Sequence, residues 1–407
     1  MPGPAGVSAI RGLQKSLARI AALRKLIPAE GSNGSSGRLA TLEDFGSNPG
    51  ALLAHIHVPD GLAAGAPLVV VLHGCTQTAG GYDHGAGWSR LADELGFAVL
   101  FPEQQRSNNP NLCFNWFSPK DAYRGRGEAQ SIAQMVAAVH AAHRTDAART
   151  FVTGLSAGGA MTTVMLAAYP EMFAGGAVIA GLPFGVAHNV PEALERMRGQ
   201  GGPPSEELPA LVRAASRHGG AWPTLSVWHG TGDSTVHHSN AAFLIEQWRG
   251  LHQSDRASSV EDKVDGYPHR VWTNPAGHAV IEEYRITGMA HGTPLATRAA
   301  NSVENTGPHM LEAGISSTRL IARFWGLGTA ATATTAASAA ASTTPQPQPS
   351  AVVQLHPEAR RDAPSAAKPQ LEREPTPEPE AEPAPAHDPS GITRTIENAL
   401  RAAGLMR

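Results

Sequence analysis

The segment at residues 151–169 constrains the fold more than any other part of this 407-residue chain. A short apolar run (FVT) is followed at once by the small residues of GLSAGGA, and then by an apolar stretch that ends before Pro170. A strand that turns directly into a helix crowds its own backbone, and small residues two positions either side relieve the crowding. Gly154 and Gly158 stand at those positions around Ser156. The segment therefore predicts a tight strand–turn–helix unit with Ser156 at the helix N-terminus.

The alternation of strands and helices continues through the middle of the chain. Short apolar segments predict strands at residues 68–72, 98–101, 151–153, 177–179 and 225–228. Apolar residues at helical spacing predict helices at residues 128–143 and 157–169. Residues 280–286 alternate between apolar and polar, which predicts an outer strand. Together these elements favour an α/β fold with a mainly parallel central sheet and helices on both faces.

Composition and charge limit the partners that this chain is expected to have. Hydrophobic residues make up 42% of the sequence and charged residues 16%, with a formal net charge of −3. This balance supports a large buried core and gives no electrostatic reason to expect nucleic acid as a partner. No apolar run reaches the roughly 18 residues that a membrane-spanning helix needs, so we expect no membrane span. No spacing of Cys and His matches a zinc site, and we expect no metal.

Four regions follow from the changes in composition along the chain. Residues 1–30 place apolar residues at helical spacing between basic ones, which predicts an amphipathic N-terminal helix that docks on the body or on a partner. The body occupies residues 39–328. Residues 329–391 are rich first in Ala and Thr and then in Pro and Glu, which predicts a disordered linker. Residues 392–407 predict a short amphipathic C-terminal helix.

The predicted turn at Ser156 also carries a chemical signature. The pattern G-x-S-x-G between a strand and a helix is typical of the nucleophile in the α/β-hydrolase fold. At a helix N-terminus the free N–H groups and the helix dipole favour developing negative charge. The alternative interpretation is a tight turn with an incidental serine. The complete strand–turn–helix context favours Ser156 as a nucleophile and predicts the α/β-hydrolase fold.

A nucleophilic serine in this fold needs an acid and a base later in the chain, in that order. Asp233 follows the strand at residues 225–228, where a carboxylate can orient an imidazole; its competing role is an Asx turn or a helix N-cap. His291 follows residues 280–286 and is the predicted base, with His309 as its chief rival. Four other histidines are expected to be surface or structural residues: His237, His238, His269 and His278.

The oxyanion hole in this fold combines the N–H after the nucleophile with an N–H from the loop after an early central strand. The strand at residues 68–72 leads into His73-Gly74-Cys75. We therefore expect the backbone N–H groups of Cys75 and Ala157 to form the oxyanion hole. The side chain of His73 is expected to be structural, because the donor is a main-chain group.

Several longer segments resemble one esterase family, which includes short-chain polyhydroxybutyrate depolymerases, feruloyl esterases and acetyl-xylan esterases. The similarity covers about residues 40–328. The matching segments are residues 68–77 (LVVVLHGCTQ), 113–117 (CFNWF), 154–161 (GLSAGGAM), 228–236 (WHGTGDSTV), 289–295 (MAHGTPL) and 314–327 (GISSTRLIARFWGL). The resemblance implies an esterase with Ser156 as nucleophile, Asp233 as acid and His291 as base, and no metal or organic cofactor.

The resemblance also suggests roles for residues around the expected site. Cys75 and Cys113 could form a disulfide that holds the oxyanion loop to the neighbouring aromatic segment; buried free thiols are the alternative. Trp116 and Phe117 are candidate residues of a substrate pocket, although aromatic residues are more often part of the core.

The resemblance leaves the substrate and the compartment open. We expect a small ester or a soluble polyester oligomer, with short-chain poly(3-hydroxybutyrate) or its oligomers as the main hypothesis. The alternatives are a feruloyl or acetyl-xylan esterase on the same triad, and a non-catalytic adaptor that uses the hydrolase fold. Family members suggest an extracellular or periplasmic protein, whereas residues 1–30 lack the uninterrupted apolar core of a secretory signal, which leaves the cytoplasm as the alternative.

Overall fold

The structure, a computed structural model, describes residues 37–254 and 257–328. The N-terminal helix predicted at residues 1–30, the linker predicted at residues 329–391 and the C-terminal helix predicted at residues 392–407 lie outside the described residues.

Ten strands of the described residues form one mixed sheet, and two short strands pair beside it. The strands are β1 (Ala40–Thr41), β2 (Leu53–His57), β3 (Leu68–Leu72), β4 (Ala98–Glu103), β5 (Thr150–Leu155), β6 (Gly175–Ile179), β7 (Thr224–Gly230), β8 (Val260–Val264), β9 (Tyr267–Thr273), β10 (Ala279–Ile286), β11 (Thr293–Leu295) and β12 (Met310–Glu312). The large sheet has the order β1-β2-β4-β3-β5-β6-β7-β10-β9-β8. Its six central strands, from β4 to β10, run parallel, and the outer pairs on both sides run antiparallel.

Helices cover both faces of this sheet. The helices of the described residues are α1 (Ala79–Ala86), α2 (Trp88–Leu95), α3 (Gly127–His143), α4 (Ala157–Ala168), α5 (Val190–Met197), α6 (Leu208–Ala215), α7 (Ser239–His252) and α8 (Ser317–Phe324). Apolar residues of α3 to α7 share one core cluster with Val70 of β3. Those of α1, α2 and α8 share the opposite cluster with Val71 of the same strand. Side chains of successive strand residues thus pack into two separate cores, one on each face of the sheet, which explains why the central strands are continuously apolar.

This arrangement is the α/β-hydrolase fold that the sequence predicts. The predicted strands at residues 68–72, 98–101, 151–153, 177–179 and 225–228 all lie within strands of the parallel region. The two predicted helices correspond to α3 and α4 within one residue at each end. None of the described helices is long and apolar enough to cross a membrane.

The prediction of an outer strand at residues 280–286 is wrong. β10 lies inside the sheet, parallel to β7 on one side and antiparallel to β9 on the other. Its two acidic residues, Glu282 and Glu283, are buried, because side chains of β7, of β9 and of β10 itself pair with them. Glu282 accepts a 2.6 Å hydrogen bond from the Ser226 hydroxyl, and Glu283 accepts one of 2.6 Å from Arg270 Nε and one of 2.9 Å from Arg285 Nε. The β8–β9 hairpin forms the true edge.

Candidate active site

The turn between β5 and α4 holds Ser156 in a strained conformation. Its backbone has φ 57° and ψ −118°, a region that residues with a side chain rarely occupy. The turn is fixed on both sides: the Ser156 N–H donates to the carbonyl of Ile179 (2.9 Å), and its carbonyl accepts from the N–H of Ala160 (2.9 Å). A Cβ at Gly158 would lie 2.3 Å from the carbonyl oxygen of Leu72, so this position has no room for a side chain. The predicted strand–turn–helix unit is present.

Asp233 and His291 come together from the ends of two parallel strands. The Nδ1–H of His291 donates to Oδ2 of Asp233 over 2.7 Å, and both side chains are buried. The loops that carry them touch through their backbones after β7 and β10. A Cβ at Gly230 would lie 2.2 Å from the carbonyl oxygen of Met289, so only glycine permits this close approach. The sequence-predicted acid and base are therefore hydrogen-bonded neighbours.

The second oxygen of Asp233 is used in the turn that the sequence offered as its competing role. Oδ1 accepts from the backbone N–H groups of Thr235 (2.8 Å) and Val236 (2.9 Å). Each oxygen thus has its own partners, and the carboxylate both builds the turn and faces the imidazole. The two interpretations of Asp233 are compatible.

A second histidine supports the same carboxylate. The Nε2–H of His229 donates to the carbonyl of Val236 (2.8 Å) and lies 3.4 Å from Oδ2 of Asp233. Burial alone would raise the pKa of Asp233, but the hydrogen bonds from His229 and His291 outweigh it and hold that pKa well below its usual range. The carboxyl group of Asp233 is therefore ionised at neutral pH. Sequence reasoning missed His229, although it lies in the same segment, four residues before Asp233.

Ser156 and His291 face one small space between their loops. This cavity of about 10 Å³ is lined by both residues and also by Gln77 and His309. Within residues 37–254 and 257–328 the Ser156 hydroxyl has no hydrogen-bond partner. Hydrogen bonds between a nucleophile and its base often form fully only when substrate binds, so this geometry is compatible with the predicted pair.

His309, the rival base, contacts the backbone of the other histidine. Its Nδ1 makes a 3.1 Å hydrogen bond with the carbonyl of His291, and the two rings meet edge to face at 5.7 Å. Among the described residues no carboxylate contacts the His309 ring, whereas His291 has Asp233. The arrangement favours His291 as the base.

The two backbone N–H groups expected at the oxyanion hole are both available. Among the described residues, neither the N–H of Cys75 nor that of Ala157 has a hydrogen-bond acceptor. Both residues line the same cavity as Ser156. The ring of His73 is turned away from this site: its Nδ1–H donates to the carbonyl of Gly74 (2.8 Å), and its Nε2 accepts from the N–H of Gln104 (3.1 Å).

That cavity has a volume of about 370 Å³, and neither His291 nor His309 is among the residues that line it. Trp116 and Phe117, the two candidate pocket residues, both line it and pack edge to face at 5.6 Å. In the structure, a disulfide joins Cys75 and Cys113, which links the loop after β3 to this aromatic segment. The cavity can therefore hold a chain attached to the carbonyl that Ser156 would attack.

The remaining lining residues were not predicted from the sequence. Helix α5 supplies further apolar lining residues: Val190, Ala193, Leu194 and Met197. The loop before Cys113 supplies polar groups at Asn108 and Asn109. The asparagine-rich run NNPN at residues 108–111 was a signal for such a polar loop, whereas nothing in α5 distinguishes it from an ordinary surface helix.

Comparison with known proteins agrees with this architecture. The family model described as "Esterase PHB depolymerase" matches residues 52–260. The poly(3-hydroxyalkanoate) depolymerase C of Paucimonas lemoignei is 44% identical over 302 residues, covering 73% of this chain and 72% of that protein. The acetylxylan esterase A of Aspergillus oryzae is 31% identical over 277 residues, covering 66% of this chain and 86% of that protein.

A solved structure gives the same result. The acetyl xylan esterase from Aspergillus awamori superimposes with a TM-score of 0.60 at 26% identity, over 71% of this chain and 99% of that chain. On the family match and the sequence relatives together, the chain belongs to the esterase PHB depolymerase family of α/β-hydrolases and is a carboxylic ester hydrolase.

Proposed function

We propose that this esterase hydrolyses short-chain poly(3-hydroxybutyrate) or its soluble oligomers through an acyl-enzyme on Ser156. The observation that carries the proposal is the position of Ser156. Ser156 lines a mainly apolar cavity of about 370 Å³, and it also lines a smaller space together with His291, which Asp233 holds by a hydrogen bond.

In the proposed reaction His291 takes the proton of Ser156 as the hydroxyl oxygen attacks the ester carbonyl. Asp233 keeps the Nδ1–H of His291 in place and stabilises the imidazolium that forms. The N–H groups of Cys75 and Ala157 donate to the carbonyl oxygen as it becomes negative. The alcohol leaves with a proton from His291, and water then releases the acid by the same steps in reverse order.

The volume and the mainly apolar lining of the cavity support an acyl group longer than acetyl. Its walls are mainly apolar on the side of Trp116, Phe117 and Leu194. A hydroxybutyryl group could extend along this surface, while its hydroxyl or the next ester group could meet Asn109 at the polar rim. The 44% identity to a poly(3-hydroxyalkanoate) depolymerase supports the same substrate class.

A second candidate is an acetyl or feruloyl ester of a carbohydrate. The polar rim at Asn108, Asn109 and Asp121 could bind sugar hydroxyl groups, and the relatives named acetylxylan esterase support this option. Hydroxybutyrate oligomers, acetylated xylan and feruloyl esters should therefore be compared at matched enzyme concentration, with Ser156→Ala as the blank. We expect the highest kcat/KM on the hydroxybutyrate oligomers. Preference for acetylated xylan or feruloyl esters would overturn the substrate assignment.

A further inference from the structure

Helix α3 carries a buried carboxyl group for which the proposed reaction has no direct use. Glu128 lies in the first turn of α3, is only 1% exposed, and sits behind the cavity rather than in its lining. A buried carboxylate is unfavourable unless hydrogen bonds replace its water. The partners of Glu128 therefore indicate what it does.

Three donors from two residues point at this carboxyl group. Oε1 accepts from the side-chain amides of Gln104 and Asn115, each at 2.6 Å. Oε2 accepts from the backbone N–H of Asn115 at 2.8 Å. Asn115 itself lines the substrate cavity, next to Trp116. The carboxyl group thus holds the cavity wall from behind.

Neither amide can rotate to accept a proton from Glu128, because its oxygen is already engaged. Oε1 of Gln104 accepts from the N–H of Gln105 (2.9 Å) and from Nδ2 of Asn108 (3.0 Å). Oδ1 of Asn115 accepts from Nδ2 of Asn109 (3.0 Å). The two NH₂ groups must therefore face the carboxyl group, and the ionised carboxylate is the form that satisfies all three donors.

The same contacts reach the oxyanion loop. Nε2 of Gln104 also donates to the carbonyl of Cys113 (3.1 Å), and the backbone N–H of Gln104 donates to Nε2 of His73 (3.1 Å). His73 in turn binds the carbonyl of Gly74, immediately before Cys75. One carboxylate is thus connected to the aromatic wall and to the strand that presents an oxyanion donor.

We propose that ionised Glu128 is a positioning residue that holds Asn115 and the wall at residues 113–117 against the acyl chain, so that the acyl cavity is complete only when this carboxyl group is ionised. This inference rests on the proposed function, because it assigns the wall to the acyl part of the ester.

The surroundings of Glu128 make its ionisation depend on pH. Burial, with the negative charge of Asp121, raises its pKa to about 8 despite the hydrogen bonds from Asn115 and Gln104. His73, the other titratable group in this network, is neutral, since burial lowers its pKa more than Gly74 and Glu103 raise it. Below about pH 8 a proton on Glu128 displaces a donor or remains without an acceptor, and the wall loses part of its support.

The test compares acyl-chain selectivity across pH in the wild type, Glu128→Gln and Glu304→Gln. Glu304→Gln is the matched control. Glu304 is also a buried carboxyl group with a raised pKa, but it accepts hydrogen bonds from Ala296 and Ser316 and lies outside the cavity. The measured quantity is the ratio of kcat/KM for p-nitrophenyl butyrate to that for p-nitrophenyl acetate, from pH 6 to about 9.5, with kcat and KM reported separately. Any effect of pH on the ionisation of the triad changes kcat/KM for both esters by the same factor, so it cancels in this ratio.

In the wild type we expect the ratio to rise through about pH 8, mainly because KM for the butyrate falls. Because the wall loses one hydrogen bond to a charged group, the change should be about ten-fold or more. Glu128→Gln should give a low ratio at every pH, and Glu304→Gln should follow the wild type. A flat wild-type ratio, or a Glu128→Gln ratio that still rises, overturns the inference. The wild-type profile decides the question even if Glu128→Gln does not fold. Absence of ester hydrolysis by the wild type is a separate result, and it overturns the proposed function instead.

Discussion

Replacing Asp233 with Asn tests the central pair of the proposed triad. The Asn side chain has nearly the same shape, and its single oxygen can still accept from the N–H groups of Thr235 and Val236. Its NH₂ group then faces Nδ1 of His291, where the wild type has a carboxylate oxygen at 2.7 Å. The imidazole must accept at Nδ1 and carry its proton on Nε2, so it cannot take the proton of Ser156.

The expected loss follows from this wrong tautomer and from the missing negative charge. Loss of the triad carboxylate as Asn typically lowers kcat about 10⁴-fold, which corresponds to about 5.4 kcal/mol in the barrier. Because the turn is kept, the midpoint of thermal unfolding should change little. Initial rates on p-nitrophenyl butyrate and circular dichroism melting measure the two quantities. Activity within ten-fold of the wild type, in a folded protein, would refute this role for Asp233.

Three further predictions follow from other contacts. Ser156→Gly should abolish hydrolysis yet raise the free energy of unfolding by about 1–2 kcal/mol, because glycine adopts the backbone conformation of this turn without strain, whereas Ser156→Ala should leave the stability nearly unchanged. Equal stability of the two variants in urea titration would argue against strain at this turn. Replacing Cys75 and Cys113 with Ala should lower the free energy of unfolding by about 3–4 kcal/mol, since the bridge closes a loop with a sequence separation of 38, and an unchanged urea midpoint would contradict this. Folding raises the pKa of Glu128 to about 8, so between about pH 5 and 8 the native state holds a proton that the unfolded chain releases. The contribution of Glu128 to the free energy of unfolding is therefore present at low pH and decreases by about 1.4 kcal/mol per pH unit as pH rises through this window. Urea titrations of Glu128→Gln across the same window should lack this slope.

Much of this architecture can be predicted from the sequence because it rests on local patterns. The turn at Ser156 is set by adjacent small residues and a strand–helix boundary. Asp233 and His291 each follow a strand directly, and parallel strands bring their carboxyl ends to one edge of the sheet. These features need only chain order and periodicity.

The parts that the sequence did not predict depend on contacts between distant segments. The outer-strand prediction at residues 280–286 was wrong because alternation alone cannot distinguish solvated carboxylates from carboxylates paired across strands, as in Glu282 and Glu283. In the sequence, nothing distinguishes Glu128 from an ordinary acidic residue in the first turn of a helix. Its burial and its donors arise only when Gln104 and Asn115 fold against it.

The most direct test of the account is covalent labelling of the nucleophile. The purified protein is treated with a fluorophosphonate probe, and the modified residue is identified by peptide mass spectrometry alongside the rate of p-nitrophenyl butyrate hydrolysis. We predict a single adduct on Ser156, loss of hydrolysis in proportion to labelling, and no labelling of Ser156→Ala. An unlabelled Ser156, or hydrolysis that continues after full labelling, would contradict a serine esterase mechanism at this turn.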